Sequence, residues 1–475
     1  MNKRAHTIVV LAATLLVTTL LAACAVGPDY RQPALPAIDR FARAEPGIAQ
    51  AAPLASEAFW HAFRDPQLTG LVAHALSANH DLHVALSRYA REQALLREAT
   101  SAADPAVTLH ASSGRQTLSV DQAFGFPRTS DVHDARVAAG WDLDLSGKVR
   151  RDVEAHRADA AALAMDLQAL QIVIVSQVAA AYMDLRGTQA RLRVAHETIA
   201  TQRETLRIVE VRLKAGRSAD FDVARARAQF ASATARVFAL EARIAVDQHR
   251  LAVLTGRPPE VLIAELDVPA VLPALPAAID PATPAIVLRR RPDIAAAEQR
   301  LHAATARVGV ASADLFPQVG LSGMLGTFAF RSGDLFTPQR RTSLLGLGVD
   351  WSFLDAGRVR ARIAASDASA AGLLAQYQQT VLLALENTEN ALIRYDRSRS
   401  EDTHLEQAAA QSSRAVALAR EQLLAGTIGV YEVLDAEREQ LRAQDAFADG
   451  RTRTALAAVA LFKELAGGWP QEVKL

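Results

Sequence analysis

Apolar positions along the chain follow two different periods. Over residues 67–103 they recur every three or four residues, which predicts helix. From about Val132 to Leu145 they alternate instead: Val137, Ala139, Trp141, Leu143 and Leu145 are apolar, with Asp134, Arg136, Gly140, Asp142 and Asp144 between them. The alternation returns as Leu345, Leu347, Val349, Trp351 and Phe353, with Gly346, Gly348, Asp350 and Ser352 on the other side. Period two predicts strands. Weaker partner strands are expected near Ala106–Gly114 and Pro317–Phe330, which gives four strands per chain.

Between the strands the helical period runs unusually far. No proline interrupts Gly147 to Leu213, and at about 1.5 Å per residue such a segment reaches on the order of 100 Å. A seven-residue seam follows Val178, Leu185, Leu192, Ile199, Leu206 and Leu213, and another follows Val223, Phe230, Val237, Ile244 and Leu251. Two such seams flanking Gly216 predict an antiparallel coiled-coil hairpin with the glycine at its tip. A second hairpin is expected around Gly426. Its seam (Val433, Phe447, Leu461) includes the polar Gln440 and Thr454, which predicts looser packing. Arg186, Arg191, Arg193, Glu197 and Arg203 read as solvated flanks of the first hairpin.

The two halves of the chain resemble each other. Asn79-His80-Asp81-Leu82 corresponds to Arg291-Pro292-Asp293-Ile294, and Trp141 through Arg150 to Trp351 through Arg360. Ala215-Gly216 with Asp222-Val223 corresponds to Ala425-Gly426 with Glu432-Val433. All three matches share an offset of roughly 210 residues, which predicts a two-fold internal repeat. The expected organisation is a signal peptide at 1–23, an N-terminal tether at 24–66 and a first repeat at 67–255. A proline-rich linker at 256–284, a second repeat at 285–467 and a tail at 468–475 complete it.

Asn2-Lys3-Arg4 followed by the uncharged Ile8–Ala23 fits a secretory signal, being short for a membrane span. It ends in Leu21-Ala22-Ala23-Cys24, where small residues precede the sole cysteine of the chain. A lone cysteine forms no internal disulfide, and at this place it reads as a lipobox whose thiol carries diacylglycerol and whose new amino terminus carries palmitate.

The strands have the length of tilted membrane strands, with one apolar face ending in tryptophan and one face of aspartates and glycines suited to a wet lumen. Four strands cannot close a barrel, and an open edge in lipid leaves backbone groups unpaired at several kcal/mol each. If the strands span a membrane, several chains must share the barrel; three would supply twelve. A soluble sheet over a core explains the alternation equally well. Composition adds that aromatics are 5% of the chain, which suits closely packed, alanine-rich helices. Lys plus Arg and Asp plus Glu both number 52, so no electrostatic footprint points to nucleic acid. No metal motif, paired cysteines, phosphate loop or nucleophile elbow is present, so no enzyme, cofactor or metal site is expected. His80 and His83 read as surface residues.

Several segments together resemble the outer membrane factors, the TolC-like and NodT-like efflux channels: Cys24-Ala25-Val26-Gly27-Pro28-Asp29-Tyr30, Phe59-Trp60 with Asp65-Pro66-Gln67-Leu68, and Leu288-Arg289-Arg290-Arg291-Pro292-Asp293-Ile294 with Ala297-Glu298 and Phe316-Pro317. The resemblance implies a mainly α fold with a membrane β-barrel contribution: a homotrimer whose twelve strands form one outer-membrane barrel and whose coiled-coil hairpins continue it as an α-barrel across the periplasm. It further implies a periplasmic adaptor and an inner-membrane pump of the proton-driven RND type as partners, with the chain as the passive small-molecule duct. A type I protein-secretion duct and a structural coiled-coil lipoprotein spacer are the alternatives.

Carried over by position, Asp222, Glu432 and Asp435 would line the periplasmic aperture as rings of like charge, or else serve as acids at helix N-termini. Ala215-Gly216-Arg217 and Ala425-Gly426-Thr427 would be the adaptor-docking tips. Leu423 and Ile428 stand where the best-known member has a latching tyrosine and arginine, so a closed aperture here must be held by other bonds.

Overall fold

The computed structural model describes residues 25–42, 58–125, 127–276 and 279–466; Cys24, the signal segment and the 468–475 tail lie outside the described residues. In chain order the main elements are α1 (Pro66–Ala78), α2 (His80–Ser101), β1 (Ala106–Thr117), β2 (Thr129–Asp142), α3 (Lys148–Lys214), α4 (Asp220–Leu254), α5 (Pro284–Arg290), α6 (Pro292–Ala313), β3 (Gln318–Ala329), β4 (Arg341–Asp350), α7 (Ala356–Ala425) and α8 (Val430–Glu464). The chain divides into two compact units. One takes Met1–Ala34, Ser87–Met165 and Ala295–Gln379; the other takes Leu35–Leu86, Asp166–Ile294 and Thr380–Leu475.

In the first unit the strands form one antiparallel sheet in the order β1-β2-β3-β4. The register places Val137 between Leu109 and Leu325, Ala139 between Val107 and Gly323, and Leu321 between Trp141 and Leu347. Since side chains alternate between faces, these rows make one apolar face. It is uncovered, Leu109 being 78% and Leu345 80% exposed. Gly140, Ser322 and Gly346 form a neighbouring row on the opposite face, followed by Asp142, Gly320 and Gly348.

β2 ends at Asp142 rather than at the expected Leu145. Asp144 adopts a left-handed backbone (φ 41°) and accepts hydrogen bonds from the Val149 and Arg150 amides at 2.8 and 3.1 Å. A residue that caps the following helix cannot also continue the strand. β4 likewise stops at Asp350, because Phe353–Asp355 turns into α7. The Trp141 and Trp351 indoles donate to the Ala103 and Leu315 carbonyls, at the ends of the helical segments that precede the strands.

The helices of this unit are packed through alanine: Ala155, Ala158, Ala162, Ala296, Ala303 and Ala306 are all buried. Across them lies an extended strap, with Val26 N donating to Ser146 O at 3.1 Å. Gly27 (φ +97°) meets Gly309 so closely that a Cβ on it would stand 2.4 Å from the Gly309 Cα. Asp29 pairs with Arg151 at 2.5 Å, and Tyr30 stacks on His302 at 4.3 Å while donating to Glu298. Burial and the Glu298 charge push the Tyr30 phenol well above its ordinary range.

The second unit has the larger core. The Phe59–Phe63 turn drives Phe59, Trp60 and Phe63 inward, and Phe59 stacks on Phe462 at 5.4 Å. The proline-rich stretch is also packed, with Leu262, Leu266 and Ile279 buried. Its irregular backbone needs hydrogen-bond partners once buried. Gln189 Nε2 donates to Leu266 O at 2.7 Å, and Arg186 Nη1 to Val268 O at 2.9 Å. Arg186 is therefore 1% exposed, a correction to its reading as a solvated flank. It also binds Gln189 and Gln67 and lies over the Tyr182 ring. Arg193, Glu197 and Arg203 are exposed as expected, while Arg191 pairs with Asp445 and Asp449.

Candidate aperture at the helical tips

Both hairpin turns are built the same way. α3 gives way to Gly216 (φ +70°), whose amide donates to Leu213 O at 2.9 Å while the Arg217 amide donates to Arg212 O at 2.8 Å. α7 gives way to Gly426 (φ +75°), with Gly426 N on Leu423 O at 3.1 Å and Thr427 N on Gln422 O at 3.0 Å. This pair of bonds is the Schellman helix ending, which needs a left-handed residue just past the helix. Glycine supplies it without steric cost. Ala215, Gly216, Arg217, Ala425, Gly426 and Thr427 are all exposed, as a surface free to meet a partner must be.

Beneath the turns the four helices share one apolar cluster: Val209 of α3, Val223 and Ala226 of α4, Leu423 of α7, and Val430, Val433 and Leu434 of α8. Ile428 packs against it. Leu423 and Ile428 thus contribute apolar packing within the chain at the positions where the resemblance placed a polar latch. α4 and α8 are further tied by Gln229 Nε2 donating to Leu434 O at 3.0 Å and by Arg225 lying 4.5 Å over the Tyr431 ring.

The three expected acids fall in the opening turns of these two adjacent helices. Asp222 accepts from the Ser218 hydroxyl at 2.8 Å and the Ala219 amide at 3.1 Å, so its carboxylate closes the N-terminus of α4. That is the helix-end role, favoured by amide donors and by the macrodipole. Glu432 is exposed in the first turn of α8, and Asp435, one turn further, pairs with Arg438.

Sequence reasoning missed a buried polar group just above. Glu437 is 2% exposed; its Oε1 accepts from Thr205 Oγ1 at 2.6 Å and from Arg420 Nη2 at 2.8 Å, whereas its Oε2 has no partner. Gln202, also 2% exposed, leaves both amide atoms unpartnered. Gln202 and Thr205 lie on a buried stripe of α3 that also holds Ala195, Thr198 and Val209, and Glu437 reaches them from α8. The predicted seam residues Leu192, Ile199, Leu206 and Leu213 are only half-buried. The signal was the heptad spacing 195-202-209, which a search for apolar residues alone passes over.

The model of the outer membrane efflux protein family matches residues 71–257 and 284–467. Nodulation protein T of Rhizobium leguminosarum bv. trifolii is 30% identical over 432 residues, covering 88% of this chain and 89% of its own. The pyoverdine export outer membrane protein OpmQ of Pseudomonas putida is 32% identical over 442 residues, covering 89% and 91%. Among solved structures, the outer-membrane channel OprN superposes with a TM-score of 0.86 at 37% identity, covering 94% of this chain and 100% of that one.

Proposed function

The chain belongs to the outer membrane efflux protein family, and on that premise we propose that it is the outer-membrane duct of a tripartite efflux system, working as a homotrimer. One observation carries the trimer: a four-stranded sheet with an uncovered apolar face and two open edges, β1 and β4. In lipid the apolar face is satisfied, but the edges are not. Pairing β1 of one copy with β4 of the next removes every edge, and three copies make a twelve-stranded barrel.

The helical hairpins continue the duct. The exposed turns at Gly216 and Gly426 are the docking points for a periplasmic adaptor, which connects to an inner-membrane pump of the proton-driven RND type. The channel is passive; adaptor binding shifts the tips from closed to open by preferring the open arrangement. Glu432 and Asp435 line the aperture, with Asp222 as a capping acid at its rim. The repeated order of helix, helix, strand, strand, long helix and 35-residue helix supports an internal duplication. Diacylglycerol and palmitate on Cys24 anchor the chain, a reading supported by its lipobox. The pyoverdine export named for one relative supports small molecules rather than proteins as cargo.

The detergent-solubilised protein should run as a heat-modifiable band and show a light-scattering mass about three times that of the chain from Cys24 onward, the stoichiometry that closes the barrel. It should also form conducting channels in planar bilayers. A monodisperse monomer without conductance would overturn the proposal.

A further inference from the structure

We propose that Glu92, His156 and Asp159 form a binding site for a transition-metal dication of the zinc class, fastening α2 to α3 in the sheet-bearing unit. The carboxylate and imidazole atoms these residues present all lie within 4.8 Å of one another, and Glu92 is buried. His156 Nδ1 and Glu92 Oε1 are 2.9 Å apart. That is a hydrogen-bond distance, and parting the two atoms to about 3.3 Å would set them at the tetrahedral angle around an ion with bonds of about 2.0–2.1 Å. His156 and Asp159 are three residues apart on α3, so they project from the same side of the helix.

With His156 neutral, two carboxylates against one guanidinium leave the cluster net negative. Glu92 and Asp159 bring two carboxylates together, and Arg307 of α6 pairs with Asp159 Oδ2. That leaves the second Asp159 oxygen for a metal, while the guanidinium fixes the carboxylate's orientation as groups behind metal ligands commonly do. Imidazole between two carboxylates can act as a protonated counter-ion or as a neutral ligand. One nitrogen with two oxygens, completed by water, suits zinc, cobalt or nickel rather than calcium or magnesium. No metal motif marked the site because Glu92 lies on a helix separated from α3 by two strands.

The test uses full-length protein, stripped with chelator in detergent and titrated with Co2+ by visible absorption and with Zn2+ by equilibrium dialysis. We expect about one ion per chain, with d–d bands from a low-symmetry site, and a raised melting temperature as binding favours the folded state. His156→Gln and Asp159→Asn should abolish the bands. His404→Gln, an exposed histidine elsewhere, should change nothing. Far-UV circular dichroism checks that each variant is folded. No saturable binding, or binding indifferent to His156→Gln and Asp159→Asn in folded variants, would overturn the site and leave His156 a counter-ion to Glu92.

Discussion

Asp222 turns its carboxylate back onto Ser218 and Ala219, whereas Glu432 stays exposed beside Gly429 and Asp435 is held by Arg438 one turn along. An acid engaged by its own helix end presents less field to a lumen than one facing solvent, so in the proposed aperture the charge would rest first on Glu432, with Asp435 offset in part by Arg438. In a trimer each position recurs three times, and like charges in a narrow, poorly screened passage attract and retain multivalent cations. Replacing Glu432 and Asp435 together by alanine should raise the half-blocking concentration of a multivalent cation in planar bilayers by about tenfold, or roughly 1.4 kcal/mol, with little effect on thermal unfolding. Unchanged block would remove these acids from the aperture. The glycine turns were legible beforehand because a glycine between two heptad seams has one common use. Glu437 was not: nothing in a run of acids and arginines says which carboxylate is buried, since that depends on Thr205 and Arg420 arriving from other helices.

Helices and strands were predicted from period, and their errors arise where a polar residue has a structural task. Thr454, expected to loosen the second hairpin, is fully buried, and its hydroxyl donates to Ser398 O at 3.1 Å and Gly450 O at 3.0 Å. A satisfied hydroxyl in a seam costs little, whereas an unsatisfied one would cost about 1–3 kcal/mol. Asp247 of α4 is the contrary case. It is buried and faces Arg243 at 3.3 Å, but that arginine also serves Asp184 of α3. Burial, opposed in part by Arg243 and reinforced by Asp184, lifts the Asp247 carboxyl from 3.8 to about 6. Between those values the folded state holds a proton that the unfolded chain has released, so this group favours folding less as pH rises. Asp247→Asn should therefore stabilise the protein at pH 7–8 by on the order of 1–2 kcal/mol, and the gain should vanish below about pH 4. Denaturant unfolding at both pH values checks it; an equal gain at each would mean that packing, not ionisation, is responsible.

For the assembled molecule, the central question is which face of the sheet meets lipid. The register sets Leu109, Val137, Leu325, Leu345 and Leu347 on one side and Ser322, Gly346, Gly348 and Asp142 on the other. The alternation was visible in sequence, but a soluble sheet predicts the same alternation. What separates the two is that nothing among the described residues of this unit covers the apolar side, Leu345 being 80% exposed. An arginine placed there must enter hydrocarbon, at about 2–4 kcal/mol near the bilayer midplane. In the proposed barrel each of three copies would bear that penalty, which opposes insertion. Leu345→Arg should accordingly abolish the heat-modifiable trimer and accumulate uninserted chain. Ser322→Arg, which stands opposite Gly346 in register and on the other face, should assemble normally, because its side chain enters water. It should instead narrow the lumen, lowering single-channel conductance and shifting selectivity towards anions. If the two substitutions disturb assembly equally, the sheet has no lipid side, and the shared barrel fails with it.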